Sequence, residues 1–361
     1  MKNYIETYQI VLETLSPVYI GSGQEISKKE YIYDSSDKKV HIPDMKKMYT
    51  FLMRKGLLNE YEKYILEDKK DFFIWLKSNH IYKKDYMTWI DYSMDSGDTV
   101  FEQRGKKGIL TCIKDAYGCP YIPGSSIKGA LRTALLAGDI LDNKQKYQNI
   151  SNKVERVPLQ GRHSLEKEAK EVEEIFYNVL SRKDKKYDAV NDIMVGLRIS
   201  DSKPLSCNDI TLCQKIDMTP DGKENKINIL RECIKPNTKV EFDMEIDQTL
   251  FKMTPKQIQY NINLFLASYN ALFASHFNQK YKKDTIFIGG GAGFMSKTVV
   301  HQLLMGKPKR IKRVSEIIDA SLRDKKHQNN EKLGVSPHMI KITYYNGKKY
   351  SYGACKISII E

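Results

Sequence analysis

The sequence predicts an α+β fold whose core elements follow the order strand, helix, strand, strand, helix, strand. Apolar and polar residues alternate along "TKVEFDMEID" (238–247), which is the pattern of a half-buried strand. Thr254 and Pro255 are residue types preferred at the start of a helix, and an apolar stripe follows them from Ile258 to Phe273. Strands are predicted near 6–15, 193–201, 238–247 and 353–360, and helices near 125–137 and 255–278.

This order is that of the ferredoxin-like fold, which also forms the core of RNA-recognition-motif proteins. We therefore predict one modified ferredoxin-like core built from elements near 1–23, 121–137, 191–204, 238–300 and 350–361. Large helical and irregular insertions are predicted at 24–120, 138–190 and 301–345. Within them, the polar stretch 91–118 is predicted to be irregular, and the Asn-, Lys- and Gln-rich stretch 138–162 to be mobile.

The composition favours a polyanionic partner. The chain carries 59 Lys and Arg against 45 Asp and Glu, a formal net charge of +14. Such a surplus attracts RNA, DNA or an acidic membrane face, although it also serves solubility. No apolar run approaches the roughly 20 residues of a membrane span, and no basic amphipathic helix with an aromatic face stands out. A nucleic acid is therefore favoured over a membrane.

The cysteines and the first residues predict a cytoplasmic protein. The six cysteines contain no CxxC pair, so neither a zinc ribbon nor a thioredoxin motif is indicated, and reduced thiols are expected. The opening "MKNYIETYQIVLETL" lacks the apolar region and cleavage site of a signal peptide. No cofactor and no metal site are predicted.

Three short segments are rich in glycine, namely "IGSG" (20–23), "PGSSIKG" (123–129) and "GGGAG" (289–293). Glycine adopts positive φ easily and lets the backbone come close to a ligand. In the second segment, Ser125 or Ser126 is predicted to cap a helix, so that first-turn N–H groups, Lys128 and Arg132 face an anion together. The alternative is structural, with glycines in tight turns and both cations merely solvated. Neither a P-loop nor a dinucleotide-binding motif fits these segments, so ATP and NAD are not predicted.

Taken in order, "PVYIGSG", "YIPGSSIKGALRTAL" and "IGGGAGFMSKT" resemble the three signature segments of the RAMP superfamily of CRISPR systems. "LRISDSKP" (197–204), "ILRECI" (229–234) and the closing "YGACKISI" are similar to those of the family of fifth subunits of the type III-A (Csm) RNA-targeting effector. The resemblance spans nearly the whole chain. Tyr19 stands where many RAMP proteins have histidine, so no histidine role is carried onto that position.

The resemblance implies a modified RNA-recognition core and a role in binding CRISPR RNA (crRNA) toward its 3′ end, with target RNA nearby. It also implies that the chain caps the filament of backbone RAMP subunits, contacts other Csm subunits, and contributes to 3′-end maturation with help from cellular nucleases. The bulk of the insertions fits a cap, because it can block addition of a further subunit on one side. The predicted RNA-binding residues are Gly21, Ser22, Gly23, Ser125, Ser126, Lys128, Arg132, Arg198, Lys203, Arg231, Gly290, Gly291, Gly293 and Lys297.

An endoribonuclease is the competing hypothesis. RAMP nucleases that process crRNA often use histidine, tyrosine and lysine, since cleavage by the 2′-hydroxyl needs an acid and a base but no metal. His41, with Tyr31 and Tyr33 nearby in the chain, is the candidate. The backbone Csm subunit cuts target RNA with an aspartate that follows its first glycine segment, but Asp34 and Asp37 here fit a turn between two strands. We therefore predict a binding subunit rather than an enzyme.

Overall fold

The computed structural model describes residues 4–67, 71–98, 108–322 and 327–360. The strands are β1 Ile5–Thr14, β2 Gly21–Ile26, β3 Ile32–Asp34, β4 Lys39–Pro43, β5 Ile90–Asp95, β6 Ile109–Cys112, β7 Leu197–Ile199, β8 Ile210–Met218, β9 Glu224–Ile234, β10 Lys239–Asp247, β11 Thr285–Phe287, β12 Ile340–Tyr345, β13 Lys348–Ser351 and β14 Ala354–Ile360. The helices are α1 Met45–Arg54, α2 Leu58–Leu66, α3 Phe72–Ser78, α4 Lys83–Tyr86, α5 Gly124–Asp142, α6 Lys144–Arg156, α7 Glu166–Phe176, α8 Pro255–Leu272, α9 Val300–Leu303, α10 Arg310–Ser321 and α11 Asn330–Leu333. No helix in these ranges is long and apolar enough to cross a membrane.

Five strands form an antiparallel sheet in the order β11-β14-β1-β10-β7. Of the four predicted core strands, β14, β1, β10 and β7 are the fourth, first, third and second along the chain. This order is consistent with the predicted ferredoxin-like arrangement. The second core strand is shorter than predicted, because a 3₁₀ turn over Ile193–Gly196 precedes it and only three residues pair with β10.

Helices α5 and α8 pack against each other and against this sheet. Leu131 of α5 and Phe265 of α8 are buried in the same apolar cluster as Phe242 of β10. Gly138 lies where the helices come close, since a Cβ on it would be 2.0 Å from Oδ1 of Asn261. A larger residue at this position would therefore push the two core helices apart.

The start of α8 confirms the prediction made from Thr254 and Pro255. The Thr254 hydroxyl accepts a hydrogen bond from the Gln257 N–H, and the Gln257 side chain accepts one from the Thr254 N–H. This capping box satisfies two donors that a helix end otherwise leaves free. The helix ends at Leu272, and a short 3₁₀ turn continues over Ala274–Phe277.

The second sheet has nine strands. Seven run in the order β2-β6-β9-β8-β5-β4-β3, while β12 pairs with β8, and β13 with β12. Of the predicted irregular stretch 91–118, residues 99–107 lie outside the described residues. For the rest the prediction was wrong, because it contributes β6 and most of β5. Its polar side chains obscured the strands: Ser93 is hydrogen-bonded to His41, and Thr111 to Ser22, on neighbouring strands.

Helices α1 to α4 and the 3₁₀ turn after α4 form a separate core rich in aromatic side chains, among them Tyr61, Phe72, Trp75 and Trp89. The stretch 138–162, predicted to be mobile, is largely helical: α5 extends to Asp142, and α6 follows at once. Tyr147, Ile150 and Val154 are buried at helical spacing along α6. The polar residues between them hid that pattern in the sequence.

Candidate nucleic-acid interface

The first and third glycine segments contact each other through Tyr19. The Gly290 N–H donates a hydrogen bond of 2.8 Å to the Tyr19 carbonyl. Gly289 has a φ of +76°, and a Cβ on it would come 2.3 Å from the same carbonyl oxygen. A Cβ on Gly21 would come 2.5 Å from the Tyr19 hydroxyl. Gly289 and Gly290 therefore allow the third segment to pack closely against the first, while Gly21 leaves room for the Tyr19 side chain of its own segment, as the structural alternative predicted.

Arg231 on β9 lies against the rings of Tyr19 and Tyr352. Its guanidinium carbon is 4.8 Å and 5.4 Å from the two ring centres, and Nη1 donates to the Gly290 carbonyl at 3.4 Å. Each cation–π contact stabilises the fold by about 0.5–2 kcal/mol. A Cβ on Gly291 would come 2.9 Å from Cβ of Tyr352. Arg231 and Gly291 thus hold the third glycine segment against Tyr352 and β9. Their predicted contact with RNA stays a prediction.

Gly23 and Gly293 have a different environment. Their φ angles are +85° and +88°, which favour glycine, but no atom lies within 4 Å of where a Cβ would stand. Ser22 beside Gly23 shares a 2.5 Å hydrogen bond with the Thr111 hydroxyl. Of the glycines predicted to bind RNA, Gly23 and Gly293 are therefore the two whose backbone is open to a ligand.

The start of α5 differs from the prediction that Ser125 or Ser126 caps it. The helix begins at Gly124, whose N–H donates to Oδ1 of Asp201 at 2.9 Å. A Cβ on Gly124 would come 2.3 Å from two backbone carbonyl oxygens just before Asp201. The predicted cap was wrong because the acceptor comes from a segment 77 residues further along the chain. Ser125 is exposed and Ser126 half-buried within the first turn.

Lys128 is half-buried and lies among other cations. In the part of the chain that the structure describes, its ammonium forms no ion pair. Burial lowers the pKa of Lys128, with Asp192 opposing the change and Arg132 and Arg198 adding to it. A partly desolvated ammonium that has no ion-pair partner in the described ranges favours an approaching anion. Lys128 is therefore well placed to contact a phosphate.

Arg132 is engaged inside the protein. Its Nη1 is 2.6 Å from Asp192 Oδ2, its Nη2 is 3.1 Å from Glu173 Oε2, and its guanidinium carbon is 4.0 Å from the ring centre of Tyr177. Although burial opposes it, the hydrogen bonds that Arg132 donates to these two carboxylates raise the pKa of Arg132. The prediction that Lys128 and Arg132 face an anion together is therefore corrected for Arg132, because two carboxylates already neutralise its charge.

Helix α5, which carries the second glycine segment at its start, and the chain that follows the third segment both line a cavity of about 310 Å³, together with α6 and α7. Arg132 and Lys297 both line it, together with apolar side chains such as Val172 and Phe294. Lys297 is exposed and makes no ion pair with any residue of the described ranges. The segment 289–300 thus contacts Tyr19 at its beginning and shares a cavity with α5 at its end.

Arg198 and Lys203 lie on the exposed side of the core sheet. Arg198 Nη1 is 3.2 Å from Glu245 Oε2, and Lys203 Nζ is 2.5 Å from Glu241 Oε2, both acceptors being on β10. Exposed ion pairs of this kind contribute only about 0–1 kcal/mol. Either cation can therefore exchange its carboxylate for a phosphate at little cost.

His41, the candidate nuclease residue, lies on β4 near the opposite end of the second sheet from β2. Five strand spacings separate β2 from β4, which is about 24 Å when followed along the sheet. His41 is only 1% exposed, and burial lowers its pKa. Asp34 is the last residue of β3, and only Asp37 lies in the predicted turn between β3 and β4. The structure does not bring His41 to the glycine segments.

Sequence reasoning missed Tyr352 and Asp201 at this site. Tyr352 is buried against Arg231, and Asp201 holds the first N–H of α5. Both residues lie in segments that carried the family resemblance, "YGACKISI" and "LRISDSKP". The signal for them was therefore present, but no local pattern pairs a residue with a partner so far away in the chain.

Comparisons with known proteins cover most of the chain. Residues 11–352 match the RAMP superfamily. The CRISPR system Cms protein Csm5 of Streptococcus thermophilus is 29% identical over 84% of this chain and 82% of its own length. The Csm5 protein of Mycobacterium tuberculosis strain CDC 1551 is 28% identical over 99% of both chains. A chain of a Csm–crRNA–target RNA ternary complex of a type III-A CRISPR–Cas system, at 18% identity, has the same fold, with a TM-score of 0.66 over 97% of this chain and 100% of that one.

Proposed function

Since this chain belongs to the RAMP superfamily, we propose that it is a crRNA-binding structural subunit of a type III-A (Csm) effector complex. Its similarity to Csm5 proteins over most of the chain supports this assignment. The observation that carries RNA binding is that residues 289–300 contact Tyr19 at their beginning and share a cavity with α5 at their end, so that Lys297 lies beside the helix that carries Lys128. The core is a modified ferredoxin-like, RNA-recognition-type domain, and 24–120, 138–190 and 301–345 are its insertions.

The RNA backbone passes Gly23 and Gly293, where no side chain blocks close approach. Lys128 and Lys297 supply positive charge. Arg198 and Lys203 exchange their exposed carboxylate partners for phosphates of the RNA. Contacts of this kind fix the position of an RNA but carry little sequence information. The protein therefore binds the crRNA largely independently of its sequence.

Charge removal tests the site. We expect Lys128→Ala combined with Lys297→Ala to weaken crRNA binding on any sequence. Losing two phosphate contacts lowers the dependence of log K on log salt by about 1.4. The matched control is Lys63→Ala with Lys84→Ala, which removes the same charge from exposed lysines of the α1–α4 region. Equal loss in both double variants would show that only net charge matters and would refute this site.

The chain also acts as an end cap. Its α1–α4 region has its own core and adds bulk that a repeating filament subunit would have to accommodate at every interface. One copy per complex binds beside the last backbone RAMP subunit, near the crRNA 3′ end and close to target RNA, and cellular nucleases complete maturation there in the cytoplasm. Mass measurement of the assembled complex tests this. Several copies per complex, or self-assembly of the purified chain along RNA, would contradict the cap.

The chain is a binding subunit rather than a nuclease. The burial of His41 and its distance from the glycine segments support this. Purified protein is expected to retain repeat RNA intact in the absence of metal. Cleavage that persists with EDTA and disappears in His41→Ala would make the chain an enzyme instead.

A further inference from the structure

The β3–β4 hairpin carries a compact group of potential metal ligands. Among the residues that the structure describes, Asp34, Asp37 and His41 are the one group of three such side chains whose ligand atoms all lie within 4.8 Å of one another. Asp34 ends β3, Asp37 lies in the turn, and His41 follows on β4. Three ligands from one short hairpin need little chain movement to close around an ion.

His41 Nε2 points into this group and lacks a hydrogen-bond partner in the described structure. The side chain is 1% exposed, and Nε2 is 3.5 Å from Asp37 Oδ2, beyond a good hydrogen bond. The other ring nitrogen, Nδ1, is 2.7 Å from the Ser93 hydroxyl. If Nδ1 carries the proton and donates to Ser93, the lone pair on Nε2 faces the two carboxylates. A buried polar atom without a partner is costly, and a cation between it and the carboxylates would satisfy it.

The ligands are also held in position by a second layer of hydrogen bonds. Asp34 Oδ1 accepts from the Ser36 N–H and hydroxyl at 3.0 Å and 2.6 Å, and its Oδ2 accepts from the Tyr86 hydroxyl at 3.0 Å. Asp37 Oδ1 accepts from the Lys39 N–H at 3.0 Å. Such outer partners are typical of metal sites, where they orient the ligands. They leave Asp37 Oδ2 and His41 Nε2 directed toward the centre.

A cation already lies at this centre. Lys83 Nζ is 2.7 Å from Asp37 Oδ2 and 3.4 Å from Asp34 Oδ2. The Lys83 side chain is 50% exposed, so it can turn out into solvent at little cost. Its ammonium therefore occupies the place of a competing ion.

We propose that Asp34, Asp37 and His41 form a site for a divalent transition-metal ion, with Lys83 as the competing cation. One imidazole and two carboxylates suit Zn²⁺, Co²⁺ or Mn²⁺ better than Mg²⁺ or Ca²⁺, which prefer oxygen ligands alone. Three protein ligands leave at least one coordination position for water or another oxygen ligand. Because the metal displaces Lys83, its binding releases the ion pairs that join α4 to the β3–β4 hairpin.

Titration of the full chain with Co²⁺ tests the proposal, because its visible spectrum distinguishes nitrogen and oxygen ligands from thiolates. We expect one equivalent to bind without a thiolate-to-cobalt band. Asp37→Asn should weaken binding at least about 10-fold, whereas Lys83→Gln should strengthen it severalfold. The opposite signs matter, since both substitutions break the same ion pair and a general loss of structure would not separate them.

The matched controls are Asp221→Asn and Lys223→Gln, which break an exposed ion pair of 2.8 Å in the β8–β9 turn. Neither should change Co²⁺ affinity. Unchanged affinity in Asp37→Asn, or a thiolate band from the partly exposed Cys119 and Cys207, would overturn the proposal. Folding of each variant is checked by circular dichroism before titration.

Discussion

Two glycines of the third segment should respond differently to the same substitution, Gly291→Ala and Gly293→Ala. Both residues have positive φ, +101° and +88°, so alanine costs about 1–3 kcal/mol of backbone strain at either position. Only at Gly291 does the new methyl group meet protein atoms, 2.9 Å from Tyr352 Cβ and 3.1 Å from Arg231 Nη1. Overpacking adds about 1–3 kcal/mol there. We expect Gly291→Ala to lower the free energy of unfolding by about 2–6 kcal/mol and Gly293→Ala by about 1–3 kcal/mol.

Urea unfolding of the free chain, followed by circular dichroism, measures both values. The comparison holds if the dependence of the unfolding free energy on urea is unchanged between variants. Gly293→Ala should in turn reduce crRNA binding, because its methyl group enters the open space that the RNA backbone would use. Equal destabilisation by both substitutions would refute the argument that Gly291 is required for packing.

Three further predictions concern stability. Arg132→Met should lower the free energy of unfolding, measured in urea, by about 1–3 kcal/mol, because Glu173 and Asp192 lose their shared cation. An unchanged free energy would mean that these contacts do not contribute to stability. Burial, with Arg310 beside it, lowers the pKa of His301 to about 3, so stability present above pH 6.5 is lost as the pH falls. Between pH 7.5 and pH 5 the free energy of unfolding should fall by about 2 kcal/mol more in the wild type than in His301→Gln. An equal fall in both proteins would assign the pH dependence to other groups. Thr254→Ala should cost about 1 kcal/mol, measured likewise, whereas Thr254→Ser should cost little.

The sequence alone predicted those elements whose pattern lies within a few neighbouring residues. Thr254 and Pro255 predicted the start of α8, and the alternation from Val240 to Ile246 predicted β10, because caps and strand periodicity act within a few residues. The same kind of signal fails when polar residues dominate, as it did for β5 and α6, whose buried faces only become evident once a partner covers them.

The three glycine segments and their order along the chain could also be recognised in the sequence. They predicted membership of the RAMP superfamily, which the family match over residues 11–352 confirms. Only the tertiary structure decided which of those residues are already engaged by other parts of the protein. Arg132 and Lys128 look equivalent along one helix face, but in the described ranges Glu173 and Asp192 form ion pairs with Arg132 and not with Lys128. Gly291 and Gly293 look equivalent in one loop, but Tyr352 packs only against Gly291. In each pair the deciding neighbour lies about 40 to 60 residues away in the chain, and charge neutralisation and van der Waals contact depend on distance in space rather than on distance in sequence.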